Sequence, residues 1–314
     1  MKCGKASGPT GVTSEMLKAL GDIGIAHLTE LVNCIFLSES VPADWRNSIL
    51  VPIFKQKGDP MECGNYRAIK LMEHTMKLYE RILDARLRKV ISIDEMQFGF
   101  MPGKSTIDPI FILRQRQEKV LEGNRQTYAA FIDLEKAYDR VPREVLYWCL
   151  RERGVTEKMV RVVKSLYENC ETMVRGPAFN TEAFPIEVGL HQVSALSQFL
   201  FAVMMDTISA NTRQGLPEEL LFADDLALIA ETEEGLQEAI VNWQRDLEGK
   251  GLKVNTGKTE VMEWSKHRDK DMNIKDIAGR NIGQVSEFKY LGSTMEETGG
   301  CSLEIRSRIA KGCM

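Results

Sequence analysis

The sequence predicts an α+β fold in which an antiparallel sheet carries helices on one face, and two segments carry that prediction. In Leu220–Ile229, Asp224 and Asp225 interrupt an apolar run that reads as two short strands joined by a tight turn. In Tyr128–Ile132, an apolar strand delivers Asp133 at its end, ahead of a helical stretch from about Arg143 to Arg153. From residue 128 onward the order is strand, helix, helix, strands, helix, hairpin, helix and terminal strands, which is compatible with a split β–α–β sheet.

Upstream, a helical pattern runs from about Ser14, its expected cap, to Leu37, with Met16, Leu17, Leu20 and Ile23 at apolar spacing. Strand patterns over Ile49–Phe54 and Tyr66–Met72 bracket a turn at Lys57-Gly58-Asp59-Pro60. The stretch His74–Ile91 has helical periodicity through Met76, Leu78, Ile82, Leu83 and Leu87. Further helices are expected near 155–169, 195–210 and 233–249. Gly99-Phe100-Met101-Pro102-Gly103-Lys104-Ser105 superficially resembles a phosphate-cradling loop, but only three residues separate its glycines where that loop needs four. A nucleotide hydrolase of that type is excluded.

At 314 residues the chain has enough length for a substantial core, and 43% hydrophobic with 27% charged residues is ordinary for a globular protein. No apolar stretch approaches the length needed to span a bilayer, and the N-terminus has no secretory signal, so a cytoplasmic or nuclear setting is expected. Seven cysteines and four histidines show no paired metal-ligand spacing, which argues against zinc and against a closed disulfide framework. A net charge of −4 does not by itself point to nucleic acid. The charge is uneven, however: residues 43–90 hold ten Lys or Arg against six Asp or Glu, and residues 215–248 hold one against ten. A basic track beside an acidic metal-binding lobe has that distribution, and so do two ordinary solvated faces.

An Asp-Asp turn alone is most often a solvated acidic turn. A second strand ending in Asp133 changes the weighing, because three carboxylates from two places in the chain suit a pair of hard divalent cations, and such pairs serve phosphoryl or nucleotidyl transfer.

At these two segments the chain resembles the reverse transcriptases of non-long-terminal-repeat (LINE-type) retrotransposons. The resemblance runs almost end to end, in family order: Gly8-Pro9-Thr10-Gly11, Leu50-Val51-Pro52-Ile53-Phe54-Lys55, Asn65-Tyr66-Arg67-Ala68-Ile69 and Gln97-Phe98-Gly99-Phe100, then the Asp133 segment. Beyond it come Gly189-Leu190-His191-Gln192, the Asp224-Asp225 hairpin, Gly251-Leu252-Lys253-Val254-Asn255 through Lys258, and Phe288-Lys289-Tyr290-Leu291-Gly292. Each motif alone is weak; their order and number carry the resemblance.

The resemblance implies a right-hand polymerase, with residues 1–127 as N-terminal extension and fingers and 128–285 as palm. Residues 286–314 would be a primer-gripping hairpin and the truncated start of a largely absent thumb. It implies an RNA-directed DNA polymerase that extends a primer 3′ end on an RNA template, using deoxynucleoside triphosphates and two Mg²⁺ ions, or Mn²⁺. Asp133 and Asp224 would be the metal ligands, Asp225 a supporting carboxylate, and Lys258 the acid that protonates pyrophosphate. Arg67 and, more weakly, Lys55 would clamp the triphosphate; Tyr138 would lie beneath the incoming sugar, and Gln192 belongs to the same nucleotide-binding set. Lys104 would meet template phosphate or serve as an exposed loop charge. Each has an ordinary structural reading as well: core packing for Tyr138, surface charge for Arg67, Lys55 and Lys258.

Two positions depart from the family pattern. Val193 stands where relatives commonly have glycine, adding a stiff β-branched side chain beside the expected nucleotide pocket. The expected result is weaker nucleotide binding, which Val193→Gly would relieve in an extension assay. Gln198 replaces a proline in the first turn after Ser197, an expected cap, at a cost of roughly 1 kcal/mol or less. These departures and the short C-terminus keep open a second reading, a catalytically silent remnant that binds nucleic acid or protein. A group II intron maturase shares the metal chemistry but fits the motif contexts less well.

Overall fold

The N-terminal helical pattern breaks at Gly21, whose positive φ of 61° turns the chain between α1 (Ser14–Lys18) and α2 (Gly21–Ser38). Thr13, rather than Ser14, is the cap: its side chain accepts from the Met16 N–H, while Ser14 is buried and donates to the Lys2 carbonyl at 2.8 Å. After α3 (Ala43–Arg46) come β1 (Ser48–Phe54), β2 (Tyr66–Met72) and α4 (His74–Leu87). The chain continues through α5 (Ile107–Glu122), β3 (Thr127–Ile132), α6 (Ala137–Arg140), α7 (Arg143–Glu152), α8 (Glu157–Ser165), β4 (Glu171–Val174) and β5 (Phe184–Pro185). Then follow α9 (Ser197–Ile208), β6 (Glu219–Phe222), β7 (Asp225–Ala230), α10 (Glu233–Gly249) and β8 (Glu260–Trp264). Last are β9 (Gly283–Gln284), β10 (Glu287–Tyr290), β11 (Ser293–Glu296) and α11 (Ser302–Gly312).

The computed structural model describes residues 1–176, 179–191, 194–266 and 271–312. Contacts divide the chain into two units, Met1–Ser92 with Arg143–Leu200, and Ile93–Pro142 with Phe201–Met314.

The first unit holds a four-stranded sheet in the order β2-β1-β4-β5, with β1 antiparallel to β2 and parallel to β4. Trp45 packs on Tyr79 in its core. The Gly8-Pro9-Thr10-Gly11 motif has a structural role here: the Thr10 N–H and hydroxyl both donate to the buried Glu73 carboxylate, at 2.7 and 2.5 Å. Ser194, not Ser197, caps α9, accepting from the Leu196 and Ser197 N–H groups at 3.1 Å and donating to buried Glu80 at 2.7 Å. Ser197 instead shares its hydroxyl with Tyr167 at 3.0 Å.

The second unit holds a five-stranded sheet in the order β6-β7-β3-β8-β9, antiparallel except for β8 with β9. All six residues of β3 are buried, so both faces of the sheet are covered. Period-two alternation puts Ala129, Phe131, Ala227, Ile229 and Met262 on one face, where Leu113 and Val120 of α5 and Tyr290 and Met295 of the β10–β11 hairpin join them in one core. On the other face Glu219 accepts from the indole N–H of Trp243, which brings α10 there at 2.8 Å. The expectation of helices on one face alone is therefore corrected: α5 lies on the second face, and its charged run Arg114–Glu118 masked it in the sequence.

Candidate active site

The last β3–β7 pair is Ile132 with Leu226, so Asp133, one step beyond β3, stands beside Asp225, the first residue of β7. Phe222 pairs with Asp225, leaving Ala223 and Asp224 as a two-residue loop. Ala223 has φ 59° and Asp224 is not among the positive-φ residues, the pattern of a type II′ turn, which normally favours glycine at its first position. The turn dipeptide is thus Ala223-Asp224, with Asp225 in the strand, rather than the Asp-Asp pair read from the sequence.

Asp133 and Asp225 line a cavity of about 220 Å³ with Phe131, Ile132, Leu226, Lys258, Phe288 and Tyr290. Its apolar side is built by stacking: the rings of Phe131 and Phe288 lie 4.1 Å apart and within 6° of parallel, and Tyr290 tilts against Phe131 at 5.7 Å. The hairpin that carries Phe288 and Tyr290 is thereby part of the same small chamber as the carboxylates.

Burial, followed by the charge of neighbouring carboxylates, raises the pKa of Asp224 and of Asp225. Asp225 is exposed on its outer side, yet crowding by surrounding atoms and then the charges of Asp224 and Asp133 push its carboxyl up to about 6. Burial and the Asp133 charge raise Asp224 as well. Asp224 is half-buried and acts on Tyr138, whose hydroxyl is raised by burial first and by that charge second; Asp225 acts in the same way on Tyr290. Asp133 has a donor and a cation beside it: Asn255 donates its side-chain amide to Asp133 Oδ2 at 3.0 Å, and Lys258 Nζ lies 3.6 Å from the same oxygen. Tyr138 stacks on Phe201 with ring centroids 4.7 Å apart, and its buried hydroxyl has no hydrogen-bond partner.

A buried strap holds the Ala223-Asp224 turn from behind. Gln97 and Leu221 form an isolated parallel bridge, with Phe98 N–H donating to the Leu221 carbonyl at 2.7 Å and Leu221 N–H to the Met96 carbonyl at 2.9 Å. Gln97 Oε1 accepts from the N–H groups of Gly99 and Ala223, at 2.8 and 3.0 Å. Gly99 admits no side chain: a Cβ there would meet the Ala223 nitrogen at 2.2 Å. Lys104 staples this strap, donating to the carbonyls of Gln97, at 3.1 Å, and Glu95, with its ammonium 4.6 Å above the Phe98 ring. The reading of Lys104 as a free loop charge gives way to this structural one.

Lys55 and Arg67 lie in the first unit. Lys55 Nζ donates to the Gly64 carbonyl at 2.8 Å, and Arg67 is exposed on β2 opposite Ile53. Gln192 and Val193 lie outside the described residues. Sequence reasoning overlooked Gln97 and Asn255 as individual residues, although both stood inside motifs it singled out.

The oxygen-rich, mutually repelling set of Asp133, Asp224 and Asp225 fits a hard divalent cation. Among the described residues no three His, Cys, Asp or Glu side chains are already gathered as a metal cage. Among the same residues no helix is long and apolar enough to cross a membrane.

Comparison with known proteins matches residues 54–295 to the family described as reverse transcriptase (RNA-dependent DNA polymerase). In Drosophila melanogaster the chain is 26% identical over 310 residues to the Pol polyprotein of the type-2 retrotransposable element R2DM, covering 93% of this chain and 29% of that protein. It is 28% identical over 312 residues to the probable RNA-directed DNA polymerase from transposon BS, covering 93% and 34%. The RNA-directed DNA polymerase from mobile element jockey is 24% identical, covering 93% and 33%. The chain thus spans about a third of the length of these relatives. Among solved structures, a telomerase from Candida tropicalis matches with TM-score 0.56 at 15% identity, covering 86% of this chain and 58% of that one, a likeness of fold. The chain belongs to the reverse transcriptase family, and its relatives place it with the polymerase domains of LINE-type, non-long-terminal-repeat retrotransposons.

Proposed function

We propose that the chain extends a DNA primer on an RNA template, with the carboxylates at the ends of β3 and β7 and in the β6–β7 turn as its catalytic centre. The observation that carries this reading is the convergence of Asp133, Asp224 and Asp225 within a family whose chemistry is nucleotidyl transfer. Asp133 and Asp224 would hold two Mg²⁺ ions, or Mn²⁺, with Asp225 as the supporting carboxylate. When bound, the ions would lower the pKa of the primer 3′-hydroxyl and neutralise charge on the triphosphate.

The chain's own residues have separate tasks. Asn255 orients Asp133 through its amide. Lys258 is exposed and 3.6 Å from Asp133, close enough to the carboxylates to pass a proton to departing pyrophosphate. Tyr138, stacked on Phe201 with its hydroxyl buried, would lie beneath the incoming sugar, where its ring excludes a 2′-hydroxyl. Lys55, Arg67 and Gln192 are assigned to the triphosphate and nucleotide on the resemblance of their motifs. In this reading residues 1–127 serve as fingers, 128–285 as a split β–α–β palm, and 286–314 as the primer-gripping hairpin with the helix after it. The free thiols of the described cysteines suit a reducing cytoplasm or nucleus.

The test is extension of a labelled DNA primer on a heteropolymeric RNA template, with the product sequenced. Template-directed deoxynucleotide addition is the expected result. A folded chain that binds the duplex without extending it would instead favour the silent-remnant reading.

A further inference from the structure

We infer that Gln97 is a positioning residue for the catalytic turn: its side-chain carbonyl holds Ala223 in a positive-φ conformation and so aims the Asp224 carboxylate at the metal site. The inference rests on the proposed reading of Asp224 as a metal ligand.

Three observations carry it. Gln97 is only 1% exposed, so its side chain is committed to the interior. Its one acceptor atom binds the N–H of Gly99 and the N–H of Ala223 together, linking strap and turn through a single oxygen. The amide nitrogen of the same side chain is buried without a partner. A flipped amide would lose two good hydrogen bonds, so the oxygen's role outweighs the nitrogen's unmet one.

The geometry at Ala223 explains why such a clamp is needed. An alanine at φ 59° occupies a conformation that costs an L-residue free energy, and the relaxed alternative at negative φ would re-aim the next residue, Asp224. The two main-chain bonds between Met96–Phe98 and Leu221 hold the strand before the turn, and the Gln97 side chain supplies a hydrogen bond to the turn itself. Gly99 is the companion of this arrangement, because any Cβ there would push Ala223 away from the Gln97 oxygen. A glutamine two residues before a glycine, in Gln97-Phe98-Gly99, is therefore a sequence device for aiming the Ala223-Asp224 turn, which begins 126 residues after Gln97.

Two variants separate positioning from packing. Gln97→Asn keeps a buried amide of nearly the same shape but loses the reach; Gln97→Glu keeps the reach and the oxygen acceptor. The full chain and both variants are compared by residue-resolved hydrogen exchange at Ala223, by Mn²⁺ binding followed by electron paramagnetic resonance, and by primer extension. Gln97→Asn is expected to speed exchange at Ala223 about tenfold or more. It should also weaken Mn²⁺ binding by about tenfold and lower kcat more than it changes the KM for deoxynucleotide, with Gln97→Glu restoring exchange protection. Unchanged exchange and Mn²⁺ affinity in a folded Gln97→Asn chain would overturn the inference, as would equal loss in Gln97→Glu. If the unmodified chain neither extends a primer nor binds Mn²⁺, the proposed function fails. The exchange contrast at Ala223 then decides by itself whether Gln97 holds the turn, and its absence overturns this inference too.

Discussion

Asn255 grips Asp133 twice: its side-chain amide donates to Oδ2 at 3.0 Å and its backbone N–H donates to the Asp133 carbonyl at 2.8 Å. One residue thus fixes both the backbone and the carboxylate of a proposed metal ligand. Replacement by alanine keeps the backbone bond and deletes the amide. Asn255→Ala is expected to lower kcat for primer extension by about 10–100-fold with little change in the KM for deoxynucleotide, as outer-shell losses at metal sites do. Equal effects on kcat and on thermal stability of the metal-free chain would point to a structural role only.

The carboxylate cluster sets a pH dependence. Burial and the neighbouring carboxylate charges push the Asp225 carboxyl up from an ordinary 3.8 to about 6, so the folded state binds that proton more tightly than the unfolded state. The stability contributed by the proton is fully present below about 3.8 and is lost as pH rises through about 6. Asp225→Asn is therefore expected to raise the unfolding midpoint of the metal-free chain at pH 7, with the gain vanishing toward pH 4. Urea unfolding at both pH values with chelator checks it, and a gain of equal size at both would contradict the assigned cause.

Gly99→Ala probes the close approach of strap and turn. A methyl group at 2.2 Å from the Ala223 nitrogen forces backbone to move, at an expected cost of ~1–3 kcal/mol for overpacking. Chemical denaturation measures that cost. Extension should fall further than the stability loss explains, because the displaced segment carries Asp224.

Glu80 is fully buried in the first unit and burial pushes its carboxyl up to about 7, despite the bond from Ser194. Its proton stabilises the fold fully below about 4.5, and that contribution is lost as pH rises through about 7. Glu80→Gln retains an acceptor for Ser194 and removes the charge, so it should stabilise the chain at pH 8 by roughly 1–3 kcal/mol and not at pH 4. Thermal unfolding across that range is the measurement.

Much of the catalytic neighbourhood was legible in residue order. The sequence pattern gives β2 and α10 at their observed bounds, and apolar runs that end in acid mark the Asp133 strand and the Asp224 hairpin. What escaped depends on distance in the chain. Gln97 meets Ala223 across 126 residues and Asn255 meets Asp133 across 122, and no local pattern encodes such a pairing. The turn was misplaced by one residue because Ala223 has no intrinsic preference for positive φ; the strap imposes it. Charged residues interrupt the apolar stripe of α5 and hide it in the sequence, and Thr13 and Ser194 cap in place of Ser14 and Ser197, whose hydroxyls are occupied elsewhere.

The central claim is that Asp133 and Asp224 form one working metal centre. The most direct measurement is extension of oligo(dT) on poly(rA) with Mg²⁺ or Mn²⁺ by the chain and by its folded Asp133→Ala and Asp224→Ala variants. The account predicts extension by the parent and its loss, by about 10³-fold or more, in both variants. A folded parent whose extension does not exceed that of Asp224→Ala would contradict it.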